Sequence, residues 1–200
     1  MSYLKYSSIS NSSSPIDLRI TILGKGVVGK SSLTYRFMNS EAPLEHDPTI
    51  EDKYKISISF NSQELTLELI DTAGEDDYQN MLDMWITNGD AFFLVFAIND
   101  EESFKFLEKK REKIIKMKGK NVPIVLIGNK KDLSEERKIE FSDAKALAKS
   151  WGVDYIETSA KNNINCNEAL ELIVMKLKNS GDKSIVSIKE KRKCCCCQIF

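Results

Sequence analysis

The sequence predicts one doubly wound α/β domain: a mostly parallel six-stranded sheet with one antiparallel edge strand and helices on both faces. Three observations carry this. Strand-like and helix-like segments alternate from residue 16 to about residue 180. Two of the strand-like segments, 92–98 and 122–128, are unbroken apolar runs of the kind buried on both faces of a parallel sheet. Two others, 54–60 and 64–70, alternate apolar and polar residues across a short turn, which makes a hairpin and therefore an antiparallel strand. The 200 residues allow a single core domain, 16–180, between an extension at 1–15 and a tail at 181–200.

Each element follows from its residues. The serine- and asparagine-rich 1–15 reads as a flexible extension with no face to bury. Residues 16–23 form a strand, followed by a glycine-rich turn and a helix over 30–39. In the hairpin, Leu65, Leu67 and Leu69 share one face and Asn61-Ser62 makes the turn. The strand 92–98 leads into a highly charged helix, 103–118, with Phe104, Leu107, Ile114 and Met117 near helical spacing. After the strand 122–128, a helix over 143–150 stops at Gly152, and 153–156 is a short strand. The last helix begins with Asn165 as cap and Glu168 three residues on, then buries Ala169, Leu170, Ile173, Val174 and Leu177. A sheet of this type binds its ligand at the carboxyl ends of the strands.

Composition narrows the function. Hydrophobic residues make up 42% and charged residues 30%, which excludes disorder throughout. No apolar stretch is long enough to span a bilayer, and neither a secretory signal nor N-myristoylation is expected. The net charge is −1, but 181–200 carries +3 and the remainder −4. An acidic body disfavours nucleic acid, whereas a short basic tail suits an anionic membrane face. Of five cysteines, four are consecutive, which is no disulfide framework and points to a reducing compartment.

The first strand runs into Gly24-Lys25-Gly26-Val27-Val28-Gly29-Lys30-Ser31, which fits GxxxxGK[ST] between a strand and a helix. Gly24, Gly26 and Gly29 let successive backbone N–H groups converge on an anion, and the following helix adds its positive end. Lys30 reaches the β- and γ-phosphates, and Ser31 offers Mg²⁺ a hard oxygen. Asp71-Thr72-Ala73-Gly74 follows the strand 64–70 at the same sheet edge. There Asp71 can hold the metal ion through water, and the Gly74 amide can bond a γ-phosphate oxygen.

Asn129-Lys130-Lys131-Asp132 begins where the strand 122–128 ends. A carboxylate at Asp132 accepts from both guanine N1–H and its exocyclic amino group. Adenine offers neither donor, and such a site discriminates by about 10⁴ or more. Thr158-Ser159-Ala160-Lys161 places small residues and free amides beside the same pocket.

Taken together, these segments resemble the small GTPases, specifically the Ras subfamily, from about Asp17 to Lys178. The resemblance also rests on Asp47-Pro48-Thr49-Ile50-Glu51-Asp52, on Val95-Phe96-Ala97-Ile98-Asn99 and on Tyr155-Ile156-Glu157 leading into Thr158. The spacing between Asp132 and Ser159 leaves no room for the extra helix of Rho-type relatives. The resemblance implies a P-loop GTPase domain that binds GTP or GDP with Mg²⁺, with Ser32 among the nucleotide contacts and Ser31, Thr49 and Asp71 on the metal. It implies a GDP/GTP switch with slow intrinsic hydrolysis, in which Thr49 and Gly74 hold two loops only while the γ-phosphate is present. It further implies an effector segment of Asp47, Pro48, Thr49, Ile50, Glu51, Asp52 and Tyr54. Partners would be effector proteins with Ras-binding domains, an exchange factor and a GTPase-activating protein, with the chain itself a monomer.

The sequence departs from that family at four places. Glu75 stands where a water-orienting Gln is usual. A carboxylate accepts from water but donates nothing to the transferring phosphoryl group, so slower intrinsic hydrolysis and faster hydrolysis through stronger polarisation both stay open. Ala42 replaces an aromatic residue stacked on guanine, a loss of about 1–3 kcal/mol that speeds nucleotide release. His46, the only histidine, stands for a tyrosine that closes over the phosphates. Val27 is bulkier than the usual glycine.

The sequence ends Cys197-Gln198-Ile199-Phe200, a C-a-a-X box whose Phe favours a geranylgeranyl group on Cys197. One lipid chain binds only marginally. Cys194, Cys195 and Cys196 are palmitoylation candidates, and Lys189, Lys191, Arg192 and Lys193 suit anionic lipid. The sequence thus reads as a lipid-anchored switch on the cytoplasmic face of the plasma membrane or an endomembrane. Its main rival is a GTP-binding scaffold, deficient in hydrolysis or fast in exchange, that stays mostly on. A P-loop nucleotide kinase would need an arginine-bearing lid and would not need Asn129 to Asp132.

Overall fold

A computed structural model describes residues 4–9, 16–39, 51–60, 63–74 and 79–179. In chain order the elements are β1 (Leu4–Ile9), β2 (Leu18–Leu23), α1 (Lys30–Phe37), β3 (Glu51–Phe60), β4 (Gln63–Thr72), α2 (Gln79–Asn88), β5 (Ala91–Ala97), α3 (Glu101–Lys118), β6 (Ile124–Asn129), α4 (Phe141–Trp151), β7 (Asp154–Glu157) and α5 (Cys166–Asn179). The strands line up as β1-β3-β4-β2-β5-β6-β7. From β4 to β7 neighbours are parallel, while β3 runs antiparallel to β4 across the expected hairpin.

The expected six strands are all present, and a seventh lies outside them. Residues 4–9, expected to belong to a flexible extension, pair antiparallel with β3 from Leu4↔Phe60 to Ile9↔Ile56, with an irregularity between Tyr6 and Ser8. An exposed strand edge presents a row of unpaired N–H and C=O groups, which a short extended segment satisfies even where its composition is polar. So β3 is not the edge strand along its whole length. Residues 56–60 are covered, and among the described residues no strand pairs with the outer edge of 51–55.

Both sheet faces are buried, as the unbroken apolar runs require. On one face α1 and α5 bring Leu33, Phe37, Leu170, Ile173 and Val174 against Ile20, Ile22, Phe93, Val95 and Ile127. On the other, α2, α3 and α4 bring Trp85, Ile86, Leu107, Ile114 and Ala148 against Phe92, Leu94, Phe96 and Leu126. Alternate residues of β5 thus serve opposite faces, and all seven are buried. Phe93 stacks on Phe37 with ring centroids 5.2 Å apart.

Helix α2 is not among the elements read from the sequence. Its apolar residues Leu82, Trp85 and Ile86 recur at helical spacing over only ten residues, and neither an acidic first turn nor a basic last turn marks its ends. The cap of α3 is Asp100, whose side chain accepts from Glu102 and Ser103 N–H. Asn165 holds φ 55°, outside the range of a usual N-cap, and its amide donates to the Glu157 carbonyl at 2.8 Å. It ties the start of α5 to β7. Among the described residues no helix is long and apolar enough to cross a membrane.

Candidate functional site

Because β2, β4, β5, β6 and β7 run the same way, the segments leaving β2, β4, β6 and β7 meet along one sheet edge. Two halves of a site form there.

The first half is the loop between β2 and α1. Gly29 adopts φ +89° immediately before Lys30 opens the helix, a conformation that favours glycine. A Cβ on it would also lie 2.6 Å from Asn129 Nδ2. Gly24 passes so close to the Val95 carbonyl that a side chain there would collide with it. Lys30 is 6% exposed, and its Nζ donates to the Lys25 carbonyl at 3.0 Å, bridging the loop. Burial pushes its pKa down to about 8, and the Asp71 carboxylate only partly offsets this. A dehydrated ammonium at a helix start is a receptor for an anion with several oxygens, since the anion restores the favourable surroundings of the charge.

Asp71 ends this half. It is fully buried at the carboxyl end of β4, in register with Ile22 of β2, and the next side chain, Thr72, donates to the Ile22 carbonyl at 2.7 Å. Ser31, also buried, lies in the first turn of α1. A hydroxyl and a carboxylate beside a phosphate-shaped loop are the hard-oxygen donors that Mg²⁺ prefers, so the donor set fits the ion. Gly74 lies so close to Lys25 and Gly26 that any side chain would strike their backbone. Its amide is therefore at the phosphate loop.

The second half is held together by Asn129, which is 1% exposed. Its Nδ2 donates to the Val28 carbonyl at 2.9 Å, and its Oδ1 accepts from Thr158 Oγ1 at 3.1 Å and Ala160 N–H at 3.2 Å. Asn129, a residue expected at the base, thereby also joins three loops. Asp132 is half-buried, and its Oδ1 accepts from Ser159 Oγ at 2.5 Å, while that hydroxyl accepts from Asn162 N–H at 3.1 Å. This anchors one oxygen of the carboxylate. Lys130 takes a left-handed φ of 65° to turn the chain between Asn129 and Asp132. Arg36, at the far end of α1, donates to the Ala160 carbonyl at 2.6 Å and the Lys161 carbonyl at 3.1 Å. Behind these loops Arg137 grips Glu157 through two bonds of 2.7 and 3.0 Å, and Tyr155 adds a third at 3.0 Å. Burial pushes the Glu157 carboxyl up, but Arg137 and Tyr155 outweigh this and hold it below the usual range.

The structure thus brings together Gly24, Gly26, Gly29, Lys30, Ser31, Ser32, Asp71 and Gly74 on one side, and Asn129, Lys130, Asp132, Ser159, Ala160 and Lys161 on the other. Ala42, His46, Asp47, Pro48, Thr49, Ile50, Glu75 and the tail with Cys194 to Cys197 lie outside the described residues. Of the effector segment, Asp52 is exposed, whereas Glu51 turns inward. The Trp85 indole donates to Glu51 at 2.6 Å, and Lys53 pairs with it at 2.5 Å. Tyr54 meets the Tyr35 hydroxyl of α1 at 3.3 Å. Arg36, Arg137 and Trp85 were not legible as site residues. Each acts on a residue far away in sequence, and none carries a local motif.

A glycine loop with a dehydrated lysine, set beside an oriented carboxylate on the next strands, defines a P-loop nucleotide-binding domain. The comparisons are specific. The Ras family model matches residues 19–179. The chain is 34% identical over 181 residues to "Ras-related protein ralB-A" of Xenopus laevis, covering 87% of this chain and 88% of the relative. It is 33% identical over 189 residues to "Ras-related protein Ral-B" of Mus musculus, covering 89% and 92%. The chain belongs to the Ras family, and as such it is a small GTPase switch.

Proposed function

We propose that the chain binds GTP and GDP with Mg²⁺, hydrolyses GTP slowly, and signals to effector proteins while lipid-anchored to a membrane. The observation that best supports the nucleotide reading is the Ser159–Asp132 pair set across from Lys30. It is an acceptor oriented for guanine's two adjacent donors, on the same edge as a cation that needs a phosphate. When bound, Mg²⁺ would neutralise charge on the β- and γ-phosphates, with Ser31, Asp71 and Thr49 to hold it. Lys30 and the loop amides stabilise charge on the phosphate oxygens, and Gly74 N–H adds a donor. Glu75 is the residue to accept a hydrogen bond from the attacking water. Effectors would read Asp47 to Tyr54, and an exchange factor and an activating protein would reset the switch. Cys197 would carry the prenyl group, with palmitate on one or more of Cys194, Cys195 and Cys196, at the cytoplasmic face of a membrane.

A second reading, a scaffold that holds GTP without hydrolysing it, draws on Val27. This β-branched residue sits in the phosphate loop at φ 64° and is 89% exposed. One single-turnover experiment separates the two. Protein loaded with GTP and Mg²⁺ should release phosphate within minutes to an hour if Glu75 supports hydrolysis. GTP that survives bound for many hours supports the scaffold, and no retention of guanine nucleotide at all sinks both.

A further inference from the structure

The eight residues of α1 serve both halves of the site. Lys30 and Ser31 in its first turn belong to the phosphate side, and Arg36 in its last turn reaches the base side. The helix sets the two about 9 Å apart along a rigid axis. A basic residue in a last turn complements the helix dipole, which accounts for a positive charge here but not for where it goes. The guanidinium spans two successive carbonyls far along the chain, Ala160 at 2.6 Å through Nε and Lys161 at 3.1 Å through Nη2.

What this grip does follows from peptide geometry. The described residues contain no cis peptide bond, and in a planar trans peptide the C=O and the N–H point opposite ways. Holding the Lys161 carbonyl therefore aims the Asn162 N–H, which donates to Ser159 Oγ at 3.1 Å. With a lone pair so engaged, the hydroxyl gives its single proton to Asp132 Oδ1 at 2.5 Å. Guanidinium, Lys161–Asn162 peptide, Ser159 hydroxyl and Asp132 carboxylate thus form one line, and the charge at its head polarises each bond that follows. The loop does not need Arg36 in order to close. Ser159 and Ile164 exchange two backbone bonds of 3.0 and 2.9 Å, and the Asn165 amide ties the start of α5 to Glu157. Removing the guanidinium leaves the loop in place and frees the peptide plane to rotate.

We infer that Arg36 is a positioning residue for base recognition, an inference that rests on the guanine reading above. By holding the Lys161–Asn162 peptide it keeps the Ser159 proton on one oxygen of Asp132, so that the carboxylate meets guanine's N1–H and exocyclic amino group together. A carboxylate without that anchor still meets one donor but loses the pairing. Arg36 therefore sets how strongly the exocyclic amino group counts and how long the nucleotide stays, acting through the loop.

The test uses the full chain with Mg²⁺ and compares the native form, Arg36→Met, Ser159→Ala and the double variant. Dissociation of a fluorescent GDP analogue is followed after a chase with excess GDP. Competition gives the affinity ratio of GDP to inosine diphosphate, which keeps N1–H and lacks the exocyclic amino group. Arg36→Met is expected to release GDP about tenfold faster and to lose most of the native preference for GDP over the inosine nucleotide. Because both residues act on one line, the double variant should match Ser159→Ala alone. If Arg36→Met does not survive purification folded, Arg36→Gln, which keeps one donor, takes its place. Unchanged release overturns the positioning role and leaves the guanine reading standing. So do effects that add in the double variant, and faster release with the GDP preference intact, which is what a merely structural tie would give. A native chain with no preference for GDP over the inosine nucleotide does the same. A native chain that binds GDP no more tightly than ADP sinks the guanine reading, and the positioning role with it.

Discussion

The two halves of the nucleotide edge are built on different terms. On the base side every polar group named is tied to another. Asn129 joins three loops, Ser159 orients Asp132, Arg36 holds the Ala160 and Lys161 carbonyls, and Arg137 with Tyr155 backs Glu157. On the phosphate side the groups named are less interlinked. Lys30 Nζ bonds the Lys25 carbonyl, Glu51 pairs with the Trp85 indole and Lys53, and Val27 stands in the open. A base reader must reject adenine in every state of the protein, so it gains from rigidity. A side that exchanges contacts with a γ-phosphate needs bonds that can be made and broken one at a time.

That contrast predicts a gradient of mutational effects. The largest belongs to Asn129→Ala, which removes three buried bonds and strands their partners, a loss of about 3–5 kcal/mol in urea unfolding. Guanine-nucleotide affinity should fall with it, although the residue's amide is engaged with the protein. Loss of affinity without loss of stability would mean that Asn129 acts on the base itself and not as a joint. Arg137→Met comes next. It leaves the buried Glu157 with Tyr155 alone and should cost about 2–3 kcal/mol, discounted because Arg137 keeps 17% exposure. The sign with pH follows from the lowered Glu157 carboxyl. Its stabilisation is in place above the ordinary glutamate range and is lost as pH falls through the lowered folded value. The native protein should therefore resist acid further down the pH scale than the variant, and coincident acid titrations would count against the pair.

Lys30 gives the corresponding test of the phosphate side. Its pKa of about 8 in the free protein means that between pH 8 and its ordinary 10.5 the unfolded chain binds more protons than the folded one. This group therefore adds stability to the free fold as pH rises through that window. Binding has the opposite sign. A polyphosphate raises the pKa, so the protein takes up a proton on binding above pH 8, and affinity falls there by at most about tenfold per pH unit. Calorimetry at pH 9 in two buffers of different ionisation enthalpy should show uptake approaching one proton, and little at pH 7. No uptake at pH 9 would mean the bound phosphates do not reach Lys30.

The same contrast explains what could be read in advance. The strands β5 and β6, the phosphate loop and the paired Asp132 and Ser159 are legible because each has a local pattern, an apolar run or a spacing. The joints are not. Arg36 and Ala160 are far apart in sequence, so their bond follows from the packing of α1 against α5 and β6 and from nothing nearby in the chain. Helix α2 escapes for a related reason, since a ten-residue amphipathic stretch with uncharged ends takes its stability from burying Leu82, Trp85 and Ile86. The strand at 4–9 was hidden by its composition. Its serines disguise a segment whose backbone finds partners on β3. Glu51 carries a contact of the same kind, since no local pattern announces that the fold turns its carboxylate to Trp85.

A smaller effect should come from Trp85→Phe, which keeps the packing and removes the indole donor to Glu51, a loss of about 1 kcal/mol. With Trp151 replaced by Phe, Trp85 becomes the only indole, and its emission should shift when Glu51 is changed to Ala. An unchanged spectrum would mean the bond does not persist in solution.

The smallest effect is expected at Val27, and it has the opposite sign. A β-branched residue at φ 64° is strained by contact between its Cβ and the neighbouring carbonyl, about 1–2 kcal/mol against a residue free to adopt it. With 89% of its surface exposed, it recovers little of this by packing. Val27→Gly relieves the strain but loosens the unfolded chain by about 0.4–1 kcal/mol, so the net gain should be near 1 kcal/mol or below. The urea midpoint should rise slightly, and GDP should dissociate more slowly because the loop no longer resists the curl that points its amides at phosphate. If stability rises while the dissociation rate stays fixed, the strain is stored away from the phosphates. If the midpoint falls, Val27 is held by contacts its exposure does not reveal, and the phosphate side is more firmly built than its fewer links suggest.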